Sequence, residues 1–82
     1  MAGTGTGEVV RYLSAEKMSK DDFDIPFTNK PGEVIYDAKT KMGPWATMTQ
    51  ASFEKHAFGR LGLGFGQKYV RQENGELHKV EG

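Results

Sequence analysis

The chain has no cysteine, only three prolines and no apolar run that approaches the roughly 20 residues of a membrane span. It can therefore form neither a disulfide nor a thiolate zinc site, two features that often stabilise domains of about this size. The N-terminal sequence also lacks the basic start and the apolar centre of a signal peptide. We expect an intracellular protein with no membrane partner, for which a homo-oligomer or another partner supplies stability.

An excess of charge of either sign is also missing, because 11 basic and 11 acidic residues cancel. Their distribution is uneven: residues 38–71, the basic centre, hold six basic side chains and one acidic one, whereas residues 1–37 hold four and seven. Two interpretations follow. Either the charges form a solvated surface on which the acidic ends pair with the basic centre, or the basic centre is a binding face for an anionic partner.

Groups that could carry catalysis are scarce. His56 and His78 are the only histidines, and neither has companions at the spacing of metal ligands. No serine lies in the GxSxG context of a hydrolase nucleophile. The acidic cluster in "KDDFD", residues 20–24, could hold magnesium or act as an acid–base pair, although such a run more often forms a solvated turn. We predict that the protein is not an enzyme and needs neither a metal nor another cofactor.

The expected organisation is a flexible arm at residues 1–7 followed by one small α+β domain at residues 8–82. "EVVRYL" at 8–13 suits a strand, while Ser14 could instead cap a helical turn through "SAEKMSK". Pro31 and Gly32 predict a turn.

Two extended runs at 34–37 and 42–48 predict a hairpin around the polar turn "DAKTK". Pro44 has no N–H to donate to a sheet, so it should lie at an edge, and Trp45 should turn into the core.

A short helix is predicted next. Thr47 with Gln50 matches a capping box, whereas Thr49 is a competing N-cap whose hydroxyl would accept free N–H groups of the first turn. Gly59 would end the helix with a positive φ after about ten residues, a length that requires packing to persist.

A second hairpin is predicted in "QKYVRQENGELHKVE", with a type I′ turn at Asn74 and Gly75. Pairing about a two-residue turn places Tyr69 opposite Val80 but puts Leu77 on the other face. A bulge, or burial on both faces, is needed to resolve this conflict.

The glycine run "GLGFG", residues 62–66, fits neither a P-loop nor a dinucleotide fingerprint. We expect its glycines to let it pass close beside another backbone, with a surface recognition loop as the alternative. Large apolar side chains in all these segments define the expected core: Ile25, Phe27, Val34, Tyr36, Trp45, Met48, Phe53, Phe58, Leu63, Phe65 and Tyr69.

The order of motifs in residues 35–69, "IYDAKTKMGPWATMTQASFEKHAFGRLGLGFGQKY", resembles a family of small, mostly uncharacterised bacteriophage proteins. Their core reads approximately as GPWAxM, Cys-x-x-Cys, a short helix and GLGxGxGQxY. One Cys-x-x-Cys before the hairpin and another at the helix start imply a treble-clef zinc site in those relatives. In this chain, residues 23–26 lie where the first cysteine pair would fall. Thr49 and Ser52 lie where the second pair would fall. The resemblance therefore implies a small treble-clef-like domain without metal: a hairpin, a short helix and a C-terminal hairpin.

The resemblance also implies a protein that acts by binding in the cytoplasm of a bacterial host. Our first hypothesis is an accessory protein that binds a host protein or complex and inhibits a host or defence factor. A nucleic-acid-binding module that uses residues 38–71 and a virion or assembly component are the alternatives. Cations clustered on one face would favour nucleic acid, whereas dispersed cations beside an exposed apolar patch would favour protein.

The candidate site residues fall into three groups. Partner contacts are predicted at Lys55, Arg60, Leu61, Leu63, Phe65, Lys68 and Arg71. Lys39 and Lys41 are further phosphate contacts under the nucleic-acid alternative. Structural roles are predicted for Trp45, Met48, Thr49, Ser52 and Gly59.

Overall fold

The computed structural model describes residues 18–82, so the predictions for the arm at 1–7, the strand at 8–13 and the cap at Ser14 lie outside the described residues. The four strands in this range form one antiparallel sheet in the order β2-β1-β3-β4, so the described chain is a mixed α+β fold. Its elements are β1 (Val34–Lys39), β2 (Trp45–Thr49), α1 (Gln50–His56), β3 (Gly66–Arg71) and β4 (Leu77–Glu81). No helix within these residues is both long and apolar enough to span a membrane.

The strands β1 and β2 form the first hairpin, in which Lys39 pairs with Trp45. Its turn lies at 40–44, later than predicted, because β1 continues through Lys39. The turn is closed by Thr40, whose backbone N–H and hydroxyl both donate to the Pro44 carbonyl, at 3.0 and 2.7 Å. Pro44 lies just before the edge strand β2. No hydrogen bond of the sheet needs an N–H at this position.

The helix α1 follows β2 directly. Thr49 is its N-cap and accepts the Ser52 N–H at 3.3 Å, which decides between the two predicted caps. The helix ends at His56, earlier than predicted, because Ala57 is already extended and forms a bridge with Thr40. Gly59 has the predicted positive φ, +73°, but it lies beyond the helix end and does not terminate it.

Both faces of the sheet are covered by apolar packing. On the helix side the Tyr36 ring stacks on Phe53, with ring centroids 3.9 Å apart. The neighbouring Ile35 points to the opposite face, because successive side chains of a strand alternate. The helix-side cluster contains Tyr36, Ala38, Ala46, Met48, Phe53 and Ala57, and the opposite cluster contains Phe27, Ile35, Tyr69 and Leu77.

The predicted core is wrong at four positions, because Ile25, Trp45, Phe58 and Leu63 are exposed. Trp45 is 48% exposed, since Ala46 takes the helix-side position and alternation turns Trp45 to the other face, at the end of its strand. Leu63 is fully exposed at the tip of the glycine turn. Val34 and Phe65 are half-buried, and the other five predicted core residues are buried.

The glycine run turns back on itself. Gly62 and Gly66 each donate a backbone N–H to the other's carbonyl, at 2.8 and 3.0 Å, with Leu63 at the tip. Within the run only Gly66 passes close to another backbone, since a Cβ there would lie 2.7 Å from the Ala38 Cα and 2.8 Å from the Asp37 carbonyl oxygen. At Gly64 a Cβ would meet open space, and glycine is required there by its φ of +82°.

The turn of the β3–β4 hairpin differs from the predicted type I′. Gly75 has a φ of +90°, but Asn74 does not have the positive φ that a type I′ turn requires. The Gly75 N–H donates to the Gln72 carbonyl at 3.0 Å, and the Gln72 N–H donates to the Glu76 carbonyl at 2.7 Å. The loop is therefore residues 73–75, one longer than predicted, with glycine at the left-handed position.

The longer loop resolves the conflict between Tyr69 and Leu77. Leu77 now pairs with Arg71, and Tyr69 pairs with Lys79, so both apolar side chains face the same cluster. The pairing of β3 with β4 also has a register shift between Lys68 and Tyr69, which is not what resolves this conflict.

Candidate functional site

Most cations of the basic centre have no acidic partner within the described residues. The ion pairs found in residues 18–82 join Lys20 to Asp24, Arg71 to Glu33 and His78 to Glu76. Within residues 18–82, a pair between the acidic ends and the basic centre forms at Arg71, through Glu33. Five cations without an acidic partner remain at Lys39, Lys41, Lys55, Arg60 and Lys68.

Arg71 was predicted to contact a partner, and this prediction is wrong because its side chain is 3% exposed. It lies two residues after the buried Tyr69, on the same face of β3, and pairs with Leu77 there. Its Nη1 donates to the Gly75 carbonyl at 2.9 Å, and its Nε lies 3.6 Å from Glu33 Oε1. The Nε and Nη2 atoms make no hydrogen bond. Arg71 thus serves the hairpin loop and is not available to a ligand.

Two loops meet at one end of the sheet: residues 40–44 between β1 and β2, and residues 57–65 between α1 and β3. The Lys41 N–H donates to the His56 carbonyl at 2.8 Å, and the Lys39 N–H donates to the Phe65 carbonyl at 3.0 Å. These bonds hold both loops against the end of β1. We call the side chains at this end the loop-end surface: Lys39, Lys41, Met42, Trp45, Phe58, Arg60, Leu63 and Phe65.

The loop-end surface concentrates exposed apolar area. It holds Met42, Trp45, Phe58 and Leu63, which are four of the five large apolar side chains exposed in residues 18–82. Monomeric proteins seldom expose apolar side chains in a group unless the group binds something. Of the apolar contacts predicted from the sequence, Leu63 is exposed and Phe65 is half-buried, whereas Leu61 packs against the helix-side core.

Cations and aromatic rings alternate on this surface. The Arg60 guanidinium carbon lies 4.3 Å from the centroid of the Phe65 ring, a cation–π geometry. Phe58 meets the same ring edge to face, with centroids 6.0 Å apart. Lys39 and Trp45 are direct cross-strand neighbours on one face of the sheet. The surface therefore presents ordered rings with positive charge beside them.

A cleft of about 130 Å³ opens between residues 19–27, the turn segment, and the outer side of α1. The Phe23 ring stacks on the His56 imidazole, with centroids 3.9 Å apart and planes inclined by 7°. Because the His56 carbonyl accepts the Lys41 N–H, this cleft adjoins the first loop of the loop-end surface. We call it the helix cleft; its lining is Phe23, Ile25, Ala51, Ser52, Lys55 and His56.

Asp21 joins the turn segment to the start of α1. Its Oδ1 accepts the N–H groups of Phe23 and Ile25 at 2.8 and 3.0 Å. Its Oδ2 accepts the Thr49 N–H at 2.8 Å and the Thr49 hydroxyl at 2.9 Å. The residue is only 4% exposed. The expectation of a solvated turn is therefore wrong for Asp21, whose carboxylate connects segments 28 residues apart.

The charge of Asp21 is maintained by these donors. Burial by itself raises the pKa of the Asp21 carboxyl, but hydrogen bonds from the Ser52 hydroxyl and from the N–H groups of Thr49, Ile25 and Phe23 outweigh burial and lower the pKa to about 2. The carboxylate is therefore ionised at neutral pH. The adjacent Asp22 accepts the Thr47 N–H at 2.8 Å and so covers part of the free edge of β2.

The described residues offer no metal centre, since residues 18–82 contain no group of three or more His, Asp or Glu side chains placed to hold an ion. The predicted structural residues Thr49 and Ser52 do meet, with their hydroxyl oxygens 3.3 Å apart beside Asp21. Met48, the other predicted structural residue of β2, is fully buried.

Sequence reasoning missed Asp21, Met42 and the exposure of Trp45. An aspartate directly before an aromatic turn is typical of side chains that accept N–H groups two and four residues on, so Asp21 carried a usable signal. Met42 was predicted to begin the second strand, but the strand begins at Trp45 and leaves Met42 exposed in the turn at 40–44.

Comparison with known proteins identified no relative of this chain. No protein-family model, no curated protein and no solved structure matches the chain. The resemblance to small phage proteins and the treble-clef likeness therefore stay predictions.

Proposed function

We propose that the protein is a non-enzymatic binding protein that engages an acidic surface of a partner protein through its loop-end surface. The observation that carries this proposal is the grouping of four exposed large apolar side chains among cations that lack an acidic partner in residues 18–82. Buried apolar and aromatic anchors supply most of the affinity of an interface, while surrounding charges select the partner and speed association.

The partner's identity rests on the resemblance to small phage proteins. On that basis we propose a host protein or complex in the bacterial cytoplasm, which the protein inhibits by occupying its surface. A virion or assembly component would use the same surface against another phage protein, and a homo-oligomer would use it against a second copy of the chain.

Nucleic acid is the second candidate, and the placement of Arg60 over Phe65 favours it. A base could stack on Trp45 while Lys39 and Lys41 meet phosphates. This candidate ranks second because the exposed aliphatic side chains of Met42 and Leu63 contribute to neither contact. The burial of Arg71 also removes one of the expected phosphate contacts.

We also propose that the scaffold is a treble-clef-like domain in which hydrogen bonds replace a metal. The turn segment and the helix start, where the resemblance implies the two ligand pairs, are joined through Asp21 to Thr49. A carboxylate with four donors can hold these two segments together, as a shared ion would. Exhaustive dialysis against a chelator should leave the melting temperature unchanged, whereas a drop would contradict the metal-free scaffold.

The binding proposal is tested by capture from bacterial lysate, with and without nuclease. The full chain is compared with an apolar variant, Met42→Ser with Leu63→Ser, and with a charge variant, Lys39→Ala with Lys41→Ala. The matched control is Lys30→Ala, which removes an exposed cation outside the basic centre.

We expect one stoichiometric protein that resists nuclease and is lost with both loop-end variants but not with Lys30→Ala. Capture that vanishes with nuclease, and that survives in the apolar variant, would replace this proposal with nucleic-acid binding. A protein captured equally by all variants would refute the role of the loop-end surface.

A further inference from the structure

We infer that the helix cleft is a second contact, an anchor pocket for one apolar side chain from an acidic segment of the partner. The inference deepens the proposed function and rests on it for the charge of the partner. It assigns a role to Ile25, the one large exposed apolar side chain in residues 18–82 that lies outside the loop-end surface.

The size of the helix cleft limits what it can hold. Its volume of about 130 Å³ falls well below the roughly 300–1,000 Å³ of sites for cofactors and drug-sized ligands. It is close to the roughly 150 Å³ of an apolar cavity that accepts benzene. A single phenylalanine or leucine side chain therefore matches the volume, and a nucleotide does not.

The walls are fixed before any ligand arrives. Phe23 is stacked on His56 on one side. The backbone of Phe23 and Ile25 is held by their N–H groups on Asp21, at 2.8 and 3.0 Å. Ala51 and Ser52 belong to the first half of α1, whose N-cap Thr49 also bonds Asp21. A preformed pocket of this kind loses little entropy when a side chain enters.

The charge around the helix cleft favours a carboxylate beside that side chain. Lys55 is the only cation that lines the cleft, it has no acidic partner in the described residues, and no lining residue is acidic. The three acidic residues directly adjacent in sequence to the lining are occupied elsewhere. Asp22 accepts the Thr47 N–H at 2.8 Å. Asp24 pairs with Lys20 at 2.9 Å, and Glu54 accepts from Gln50 at 3.2 Å.

The helix cleft adjoins the first loop of the loop-end surface through one backbone hydrogen bond. His56 lines the cleft and accepts the Lys41 N–H, and Lys41 precedes Met42 in the loop. An acidic segment that places one apolar side chain beside Lys55 can therefore continue toward Lys41 and Met42 without leaving the protein.

The test is an NMR titration of the uniformly ¹⁵N-labelled full chain with capped pentapeptides. The probe is acetyl-Glu-Asp-Phe-Asp-Glu-amide. One control peptide replaces Phe with Ala, and another replaces the four acidic residues with Lys. A decathymidylate is titrated in parallel as the nucleic-acid arm.

We expect the amide signals of Ile25, Ala51 and Lys55 to shift with the acidic Phe peptide. Its affinity should exceed that of the Ala peptide by about tenfold or more, because one phenyl ring leaves water. The Lys peptide should bind most weakly. Equal affinities for the Phe and Ala peptides would overturn the inference, as would stronger shifts of the same amides by decathymidylate.

Two helix variants make the assignment specific. Ala51→Leu fills the helix cleft from an exposed helical position and should remove the preference for Phe over Ala. Gln50→Leu adds the same side chain at the neighbouring exposed position outside the lining and should keep that preference. Retention of the full preference in Ala51→Leu would overturn the pocket assignment.

The two proposals fail in different ways. If only the pocket is wrong, lysate capture still depends on Met42 and Leu63 while the Phe and Ala peptides bind alike. If the loop-end surface is not the binding site, the amount of partner captured is the same with and without the Met42 and Leu63 substitutions, whatever the peptide titration shows.

Discussion

Replacing Asp21 by asparagine tests the most connected polar contact in the described fold. The change keeps the size of the side chain but removes its charge, and it turns one of the two acceptor atoms into an NH₂ donor. That donor must face either the Thr49 N–H and hydroxyl, or the N–H groups of Phe23 and Ile25, because the carboxylate accepts from both sides. At least two donors therefore lose their acceptor.

The magnitude can be approached in two ways. The pKa of Asp21 falls from 3.8 to about 2, so ionisation of this carboxyl stabilises the fold by about 2 kcal/mol relative to its protonated form. Leaving buried donors without an acceptor costs about 1–3 kcal/mol each. We expect Asp21→Asn to lower the free energy of unfolding by about 2–4 kcal/mol, a large part of the roughly 4–12 kcal/mol expected for 82 residues.

The assay is urea unfolding followed by circular dichroism, supported by thermal melts. A loss of this size should lower the melting temperature by at least about 10 °C. Asp24→Asn is the matched control, because Asp24 lies in the same turn segment with a side chain that is 80% exposed. That variant should change stability by less than about 0.5 kcal/mol. Equal midpoints for the two variants would refute the role assigned to Asp21.

The pH dependence gives an independent check of the same contact. Because the folded pKa is lowered, the stabilisation from Asp21 is fully present above about pH 4 and is lost as the pH falls toward about 2. The native protein should therefore lose about 2 kcal/mol of stability more than Asp21→Asn over this interval. Parallel stability curves for the two proteins between pH 5 and pH 2 would contradict the lowered pKa.

Other predictions concern the glycine turn and Trp45. Gly66→Ala should destabilise the protein by about 2 kcal/mol or more, because the new Cβ would lie 2.4 Å from the Ala38 Cβ, whereas Gly64→Ala should cost only about 1 kcal/mol for its positive φ. Equal melting temperatures for these two variants would contradict the close approach. Trp45 should show a solvent-exposed fluorescence spectrum that acrylamide quenches, and bound partner should shift the emission to shorter wavelength. Emission typical of a buried indole in the free protein would contradict its outward position. Leu63→Ser should leave stability within about 0.5 kcal/mol while weakening partner binding, and a clear loss of stability would contradict its place at the tip.

The loop-end surface shows why binding residues were harder to identify than elements. The cations at Lys39, Lys41, Lys55 and Arg60 were visible as a charge excess, but the sequence could not say whether acidic residues would meet them. Only the placement of both loops at one end of β1 puts Lys39, Lys41 and Arg60 beside exposed rings. Arg71 shows the opposite case, since it shares a face of β3 with the buried Tyr69 and its cross-strand partner Leu77 covers that face.

Features set by neighbours a few residues apart could be read from the sequence. Thr49 caps the helix because its hydroxyl reaches an N–H three residues on, and Gly32 and Gly59 take the positive φ that other residues avoid. The two hairpins and the short helix follow from such local rules and from the alternation of apolar residues. Their ends were less certain, because the end of α1 depends on the pairing of Ala57 with distant Thr40.

Tertiary structure alone decided which side chains are buried and which are free. Asp21 became the link between the turn segment and α1 through bonds to a residue 28 positions away, and Trp45 turned outward because Ala46 took the inward position. Strand register decides which side chains of a strand are buried, because a shift of the pairing by one residue turns every side chain of that strand to the other face. The sequence by itself therefore determined most of the strands, the helix and the excess of positive charge in residues 38–71. The register and the meeting of the two loops determined the surface on which that charge can act.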